Sequence, residues 1–315
     1  MNYYHTHLQV VIYMNKEFKS GFIAILGRPN VGKSTILNQM MDQKVAIVTS
    51  KAQTTRNKIQ GIYTTDEVQM IFIDTPGIHK PKNELGNFMN QTAFSSLDGI
   101  DLVLFVVDGS EKIGTGDVFI LENLKKVKVP VILVVNKVDL LQDKEEVLKE
   151  NIESYKNAFS FSGGITLSAS HGFNIDKLKE MIIERLDFGP MYYPEDQLLD
   201  QPERFVVAEL IREKVLLTTS DEVPHSVAVK VESFKEKQNS LIEILADIVV
   251  ERPSQKKIII GKNGTKIKEI GTLARKEIVK FLGSKVYLEL FVKVETDWRN
   301  KVSRLKEYGY RTDEV

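Results

Sequence analysis

The chain has 315 residues, of which 42% are hydrophobic and 27% charged, an ordinary composition for a globular protein of about two domains. Lysine plus arginine equals aspartate plus glutamate at 43 each, so overall charge does not indicate a nucleic-acid or membrane partner. The absence of cysteine excludes disulfides, thiolate catalysis and cysteine-ligated zinc and suits a reducing cytoplasm, and no apolar run approaches the roughly 20 residues that span a bilayer.

Residues 1–13 include a short apolar run, Leu8 to Tyr13, without the basic leader or the small-residue cleavage site of a secretory signal. Met14-Asn15-Lys16-Glu17 is a more natural beginning for the protein. We therefore expect residues 1–13 to be a disordered extension or the product of an upstream start.

The chain is organised around a glycine loop, Gly27-Arg28-Pro29-Asn30-Val31-Gly32-Lys33-Ser34, which matches the phosphate-binding pattern G-x-x-x-x-G-K-[ST]. An apolar, strand-like run precedes it and a helix-like segment follows, which is the context that the pattern requires. Gly27 and Gly32 let successive backbone N–H groups turn toward phosphate oxygens at the positive end of the helix dipole. Lys33 is expected to reach the β- and γ-phosphates, and the Ser34 hydroxyl to ligate Mg²⁺.

A polar, threonine-rich loop follows at Lys51 to Lys58, and then two strands separated by a turn at Thr65-Asp66-Glu67. The second strand ends in Asp74-Thr75-Pro76-Gly77, so Asp74 should lie at the carboxyl edge of the sheet, beside the phosphate loop. Asp74 can therefore hold Mg²⁺ through water, and the Gly77 N–H can meet a γ-phosphate. Taken alone, D-T-P-G is a common turn sequence.

Two aliphatic runs, 102–107 and 131–135, are typical of parallel strands that crossover helices bury on both faces. The second run ends in Asn136-Lys137-Val138-Asp139. Asp139 presents two acceptors to the N1–H and the exocyclic N2 of guanine, a donor pair that adenine lacks, and buried polar groups left unpaired make such a site selective.

The neighbours of Asp139 complete the predicted base site. Asn136 is expected to brace the loop, and the Lys137 stem to lie along the purine face. One strand later comes Ser168-Ala169-Ser170, where the Ala169 N–H can meet guanine O6. As an isolated tripeptide this last signal is weak.

Four elements in this order, each at a strand's carboxyl end, resemble the guanine-nucleotide-binding domains of the translation-factor-related class over residues 22–186. The aliphatic strand-like runs and the short turn at 65–67 predict an α/β fold with a mostly parallel sheet, one antiparallel strand and helices on both faces. The resemblance implies a P-loop GTPase that takes GTP, GDP and Mg²⁺; an ATPase is the weaker alternative because Asp139 should prefer guanine. The expected GTP-binding residues are Gly27, Arg28, Pro29, Asn30, Val31, Gly32, Lys33, Ser34, Asp74, Thr75, Pro76, Gly77, Ile78, Asn136, Lys137, Asp139, Ser168 and Ala169. The expected metal ligands are Ser34, Thr55 and Asp74, and the expected catalytic residues are Lys33, Thr55 and Gly77.

Ras-like enzymes orient the attacking water with a glutamine directly after the D-x-x-G glycine, where this chain has Ile78. Because isoleucine has no polar group, we expect slow intrinsic hydrolysis. A residue of the 51–56 loop could compensate, with Thr55 closing on Mg²⁺ and the γ-phosphate. The other candidate is K⁺ held near Asn30, since related GTPases with asparagine there use K⁺ in place of an arginine finger. Alternatively, Asn30 only caps the loop turn.

Residues 190–203 form a linker rich in prolines and acids, which divides a GTPase domain at 1–189 from a second domain at 204–315. The predicted elements of the second domain are a helix over 204–217 and strands over 226–234, 241–250 and 286–294. Before the last strand lies I-I-I-G-K-N-G-x-x-I-x-x-I, the signature of a KH domain. In that domain two short helices meet at a G-x-x-G turn that clamps single-stranded nucleic acid, and this order of elements resembles the type II arrangement.

Charge supports the KH interpretation. Between Arg252 and Lys285 there are ten basic residues and two acids, a local surplus that indicates nucleic acid more than a merely solvated helix face. The expected RNA-binding residues are Ile260, Gly261, Lys262, Asn263, Gly264, Lys266 and Lys268.

A GTPase domain joined to one type II KH domain resembles the Era family of bacterial GTPases, in the TrmE-Era-EngA-like class. The stretches 51–56, 74–80, 202–205 and 290–299 agree with it, so the resemblance spans nearly the whole chain after residue 13. It implies a cytoplasmic monomer that binds the 3′ end of 16S rRNA, assists assembly of the small (30S) ribosomal subunit and associates peripherally with the inner face of the membrane. The alternative is a signalling or metabolic GTPase whose second domain docks a protein partner.

Overall fold

The structure is a computed structural model, and it describes residues 18–49, 51, 53–141, 144–220 and 223–310. The expectation for residues 1–13 lies outside the described residues. Among the helices described, none has the length and apolar character needed to cross a bilayer.

The first domain contains a six-stranded sheet in the order β2-β3-β1-β4-β5-β6. Its strands are β1 (Lys19–Leu26), β2 (Ile59–Thr64), β3 (Val68–Asp74), β4 (Leu102–Asp108), β5 (Val131–Asn136) and β6 (Gly163–Thr166). Every neighbouring pair is parallel except β2 and β3, so the predicted mixed sheet is confirmed.

Five helices cover both faces of this sheet. They are α1 (Lys33–Met40), α2 (Glu84–Ser95), α3 (Thr115–Leu124), α4 (Glu145–Ala158) and α5 (Ile175–Ile183). Helices α1 and α5 share one apolar core with the sheet, and α2, α3 and α4 share the other. Because the parallel strands run in one direction, the loops after β1, β3, β5 and β6 meet at one edge of the sheet.

The second domain has a three-stranded sheet in the order β7-β8-β9, covered by helices on one face. Its elements are α6 (Glu203–Thr218), α7 (Val223–Ser226), β7 (Ala228–Lys237), β8 (Leu241–Val250), α8 (Pro253–Ile260), α9 (Thr265–Leu282), β9 (Lys285–Val294) and α10 (Val302–Glu307). This is the predicted type II order. The expectation of two short helices is right for α8 and wrong for α9, which has 18 residues because Ile270, Ala274 and Ile278 keep packing on the core.

The predicted linker is attached to the first domain along much of its length. The Ile62 N–H donates to the Leu198 carbonyl at 2.9 Å, and the Asp200 N–H donates to the Gln60 carbonyl at 3.2 Å. The Gln69 side chain accepts from the Tyr192 N–H at 2.7 Å. Residues of the linker therefore run along the outer edge of β2.

The interface between the domains involves two segments next to the predicted nucleotide site. Arg56 is fully buried and donates to the carbonyl of Val227 at 2.6 Å and to the Tyr310 hydroxyl at 3.2 Å. Helix α2 contributes Phe88 to an apolar cluster with Trp298 of the second domain. The loop that carries Thr55 and the helix that follows the D-T-P-G turn are thus both part of the domain contact.

Candidate functional site

The phosphate loop follows β1 and can be formed only with glycine at two positions. Gly27 has φ 156°, and a Cβ there would lie 2.3 Å from the carbonyl oxygen of Val106. Gly32 has φ 101°, and a Cβ there would lie 2.2 Å from Asn136 Nδ2. Because neighbouring strands approach the loop this closely, a side chain at either glycine would displace it.

Lys33 is buried at the start of α1. Its Nζ donates to the carbonyl oxygens of Gly27 at 3.1 Å and Arg28 at 2.9 Å. Burial lowers the pKa of Lys33 to about 8, against the opposing effect of the Asp74 carboxylate. Phosphate oxygens are stronger acceptors than carbonyls, so an anionic ligand at the loop would keep this ammonium charged.

The three predicted metal ligands lie together. Ser34 Oγ is 2.7 Å from Asp74 Oδ2 and 2.8 Å from Thr55 Oγ1, and Thr55 donates to the same carboxylate oxygen at 3.3 Å. Asp74 is fully buried, and its Oδ1 has no hydrogen-bond partner among the described residues. Burial raises the pKa of Asp74, opposed by the charge of Lys33. A nearby cation would relieve this carboxylate, and one carboxylate with two hydroxyls is a donor set that Mg²⁺ accepts when a nucleotide supplies phosphates.

The residues predicted for the base are connected by hydrogen bonds. Asn136 Nδ2 donates to the Val31 carbonyl at 2.8 Å, so Asn136 braces the phosphate loop as expected. Ser168 Oγ donates to Asp139 Oδ1 at 2.5 Å. The Ala169 N–H donates to Asn136 Oδ1 at 3.0 Å, so a bond to guanine O6 requires this N–H to change or share its acceptor.

Three side chains that the sequence predicts for GTP binding serve the fold instead. Arg28 forms ion pairs with Glu111 at 2.7 Å and Asp117 at 2.9 Å. The Thr75 hydroxyl donates to a backbone carbonyl of β1 at 2.8 Å. The Ile78 side chain is only 1% exposed and packs in the core under the sheet. These three side chains are thus engaged within the protein, and the part of the three residues in GTP binding stays a prediction.

Gly77 lies against the phosphate loop, where a Cβ would be 2.6 Å from the backbone nitrogen and Cα of Pro29. Both contribute to the wall of a cleft of about 450 Å³. Its lining comprises Pro29, Asn30, Gly32, Lys33, Ser34, Thr35, Ile47, Val48, Thr49, Gln53, Thr54, Thr55, Gly77 and Lys137. The sequence did not indicate Ile47, Val48 and Thr49, because no local pattern shows which side chains fold back over a neighbouring site, whereas Gln53 belongs to the 51–56 loop that was expected to compensate for Ile78.

The G-x-x-G turn between α8 and α9 has positive φ at Gly261 (73°), Asn263 (52°) and Gly264 (75°). Lys262 and Asn263 are exposed, as an RNA-binding turn requires. Lys266, in contrast, pairs with Glu269 at 2.9 Å. The turn thus presents its backbone and two side chains outward.

A groove beside this turn joins Ile260, which the sequence predicts for RNA binding, to residues that the sequence did not indicate. Ile260 and Ile267 line one side, and Leu290, Phe291 and Lys293 of the edge strand β9 line the other. Phe291 is exposed, and an exposed aromatic ring is a surface on which an unpaired base can stack. The alternation of apolar residues in β9 could have indicated Phe291, but not that β9 borders the turn.

A family model described as "50S ribosome-binding GTPase" matches residues 22–137, and a KH-domain model matches residues 222–299. The crystal structure of Era in complex with MgGDPNP and nucleotides 1506–1542 of 16S ribosomal RNA has 41% sequence identity and a TM-score of 0.89, covering 93% of this chain and 99% of that one. The chain belongs to the Era family. A substituted Era from Aquifex aeolicus, bound to GDP·AlF4⁻, matches with the same identity, coverage and TM-score.

Membership of the Era family confirms the predicted fold class, a P-loop GTPase domain followed by a KH domain. The enzyme is accordingly a GTPase. The individual site residues stay predictions, supported by the way in which the Era-family fold brings Ser34, Thr55 and Asp74 together.

Proposed function

We propose that this protein hydrolyses GTP with Mg²⁺, binds the 3′ end of 16S rRNA through its KH domain and assists assembly of the small ribosomal subunit. The observation that carries the proposal is the Ser34–Thr55–Asp74 group beside Lys33, in a chain that also carries an exposed G-x-x-G turn. The Era structure that this chain resembles is a complex with MgGDPNP and with a 16S rRNA segment, which supports both halves of the proposal. The family model that mentions the 50S subunit matches only part of the GTPase domain, so it does not decide which RNA the KH domain binds.

In hydrolysis, the water oxygen forms a bond to the γ-phosphorus while the bond to the β–γ bridging oxygen breaks. Lys33 and the backbone N–H groups of the phosphate loop would offset the charge that develops on the phosphate oxygens. Ser34, Thr55 and Asp74 would hold Mg²⁺, which when bound neutralises charge on the β- and γ-phosphates. The Gly77 N–H would hold the γ-phosphate at the edge of the cleft.

The proposal also covers the use of K⁺, the oligomeric state and the location of the protein in the cell. K⁺ near Asn30 would assist hydrolysis, since Asn30 lies exposed at the cleft with left-handed backbone. A monomer in the cytoplasm, with peripheral association with the inner face of the cell membrane, is proposed from the family resemblance. The signalling or metabolic alternative would need a protein-docking surface, whereas the turn and groove suit single-stranded RNA.

Selectivity for guanine over adenine tests the GTP-hydrolysing part of the proposed function. The full chain should hydrolyse GTP with Mg²⁺ and leave ATP largely intact, and Asp139→Asn should move its preference from GTP to XTP because the amide then meets a carbonyl at the purine 2-position. Unchanged selectivity in the variant would refute the role of Asp139.

Gel-shift titration tests the RNA half. An oligonucleotide with the sequence of the 16S rRNA 3′ end should bind more tightly than one of the same composition in scrambled order. Equal binding of both would reduce the RNA interaction to non-specific charge.

A further inference from the structure

Two polar side chains, Gln53 and His79, contact each other beside the nucleotide cleft. They lie near Ile78, whose own side chain has no polar group to orient a water molecule. Gln53 lines the cleft and precedes Thr55 by two residues. His79 follows Gly77 by two residues, and its Nε2 is 2.9 Å from Gln53 Nε2. This contact joins the loop that carries Thr55 to the loop that carries Gly77.

The hydrogen bonds of His79 show which side chain donates and which accepts in this contact. His79 Nδ1 lies 3.0 Å from the carbonyl oxygen of Gly77, and a carbonyl can only accept, so Nδ1 carries the proton. In the neutral ring Nε2 is then an acceptor, and the Gln53 amide N–H donates to it. The Gln53 amide is thereby oriented, and among the described residues no donor contacts its oxygen.

The surrounding structure holds this pair in place. Asn90 of α2 donates to the His79 carbonyl at 2.8 Å and accepts from the His79 N–H at 3.3 Å. Gln53 has φ 63°, a left-handed conformation that is uncommon outside glycine and asparagine and that clusters at functional sites.

We propose that Gln53 orients the attacking water and that His79 is a positioning residue acting through Gln53; the inference rests on the proposed GTPase activity. The Gln53 oxygen accepts one hydrogen of the water. The water oxygen bonds to the γ-phosphorus, the bridging bond breaks to release GDP, and the water's proton passes to the departing phosphate. Gln53 takes no proton, so it performs from a different loop the service that glutamine performs in Ras-like enzymes.

A double-mutant cycle on single-turnover GTP hydrolysis tests the proposal. Gln53→Ala and His79→Ala should each lower the rate constant roughly 100-fold, since misplacing the water costs about that much, while GTP affinity stays close to the parent's. If His79 acts through Gln53, the double variant should be no slower than Gln53→Ala. Multiplied effects in the double variant would overturn the role of His79.

Two conservative variants separate positioning from a structural role. His79→Asn keeps a donor near the position of Nδ1 for Gly77 but cannot reach Gln53, so it should be as slow as His79→Ala. His79→Gln places its amide near the position of Nε2 and should recover much of the rate. Parent-like hydrolysis by His79→Asn would overturn the proposal.

Gln43→Ala is the matched control, because Gln43 is exposed and lies outside the nucleotide cleft. It should hydrolyse GTP like the parent. If Gln53→Ala hydrolyses GTP at the rate of the parent, this inference is overturned and the proposed GTPase function is not. Absence of hydrolysis in the parent itself would overturn the proposed function, and this inference with it.

Discussion

The two glycine turns of this chain, the phosphate loop at 27–34 and the G-x-x-G turn at 261–264, both contain two glycines and an asparagine with positive φ. They differ in what surrounds them. The phosphate loop is enclosed: Lys33 holds its carbonyls, and Asn136 holds the Val31 carbonyl. The G-x-x-G turn stands in solvent.

The difference indicates two ways of binding phosphate. An enclosed loop is preorganised by the rest of its domain, so it can hold one small ligand in one geometry and support chemistry on it. An exposed turn meets a long backbone at its surface and gains strength from charge and from the neighbouring groove. Changes in the first should therefore affect both folding and ligand binding, and changes in the second should affect ligand binding more than folding.

The largest effect is expected from Lys33→Ala. Removing a buried ammonium that faces phosphates should cost about 2–5 kcal/mol of GTP binding, which amounts to roughly 30- to 5,000-fold in Kd. RNA affinity, measured in the same preparation by gel shift, should not change. Titration with a fluorescent GTP analogue decides the outcome, and a Kd within threefold of the parent's would remove Lys33 from the site.

The matched pair Gly32→Ala and Gly264→Ala tests enclosure directly. At Gly32 the new Cβ meets Asn136 Nδ2 and the backbone has φ 101°, so the cost should be about 3 kcal/mol of unfolding free energy. At Gly264 the φ of 75° carries a cost, but the nearest atom is Ile267 Cγ2 at 4.0 Å, so about 1 kcal/mol is expected. Denaturant unfolding should resolve the two, and equal losses would contradict the comparison.

Charge reversal at the exposed turn should spare nucleotide binding. Lys262→Asp with Asn263→Asp should weaken binding of the rRNA oligonucleotide roughly 10- to 100-fold at low salt and flatten its salt dependence. Lys177→Asp with Asn157→Asp makes the same change of charge at exposed positions of the first domain and serves as control. If both double variants lose RNA affinity equally, general charge and not the turn binds the RNA.

The smallest effect concerns the asparagine of the phosphate loop. If K⁺ acts near Asn30, the parent should hydrolyse GTP several-fold faster in KCl than in NaCl at equal ionic strength, and Asn30→Ala should lose that advantage. A parent that is indifferent to the cation would leave Asn30 with the capping role alone.

Local motifs made much of this molecule predictable. The phosphate loop and the D-T-P-G turn each follow a strand, and the rule that parallel strands end at one edge sufficed to bring Ser34 and Asp74 together. The long-range contacts were not predictable. Arg56 finds its acceptor at Val227, 171 residues away, and no local pattern encodes such a partner.

The direction of individual side chains was the second feature that the sequence did not predict. Arg28 lies within the motif but its charge is used by Glu111 and Asp117, which lie far along the chain. The contact of Gln53 with His79 depends on how two loops close on each other, which the sequence does not show. A motif therefore predicts where the backbone goes more reliably than it predicts what each side chain touches.

The attachment of the linker to β2 has a consequence beyond joining two domains. β2 is an edge strand, and an uncovered edge presents unpaired N–H and C=O groups to any other extended chain. The opposite edge, β6, has only four residues and is a poor template. By occupying Gln60 and Ile62, the linker blocks the longer edge against strand addition. A proteolytic cut between residues 190 and 203 would therefore let the linker leave the edge of β2. The protein would then be prone to edge-to-edge aggregation, even with both domains still folded.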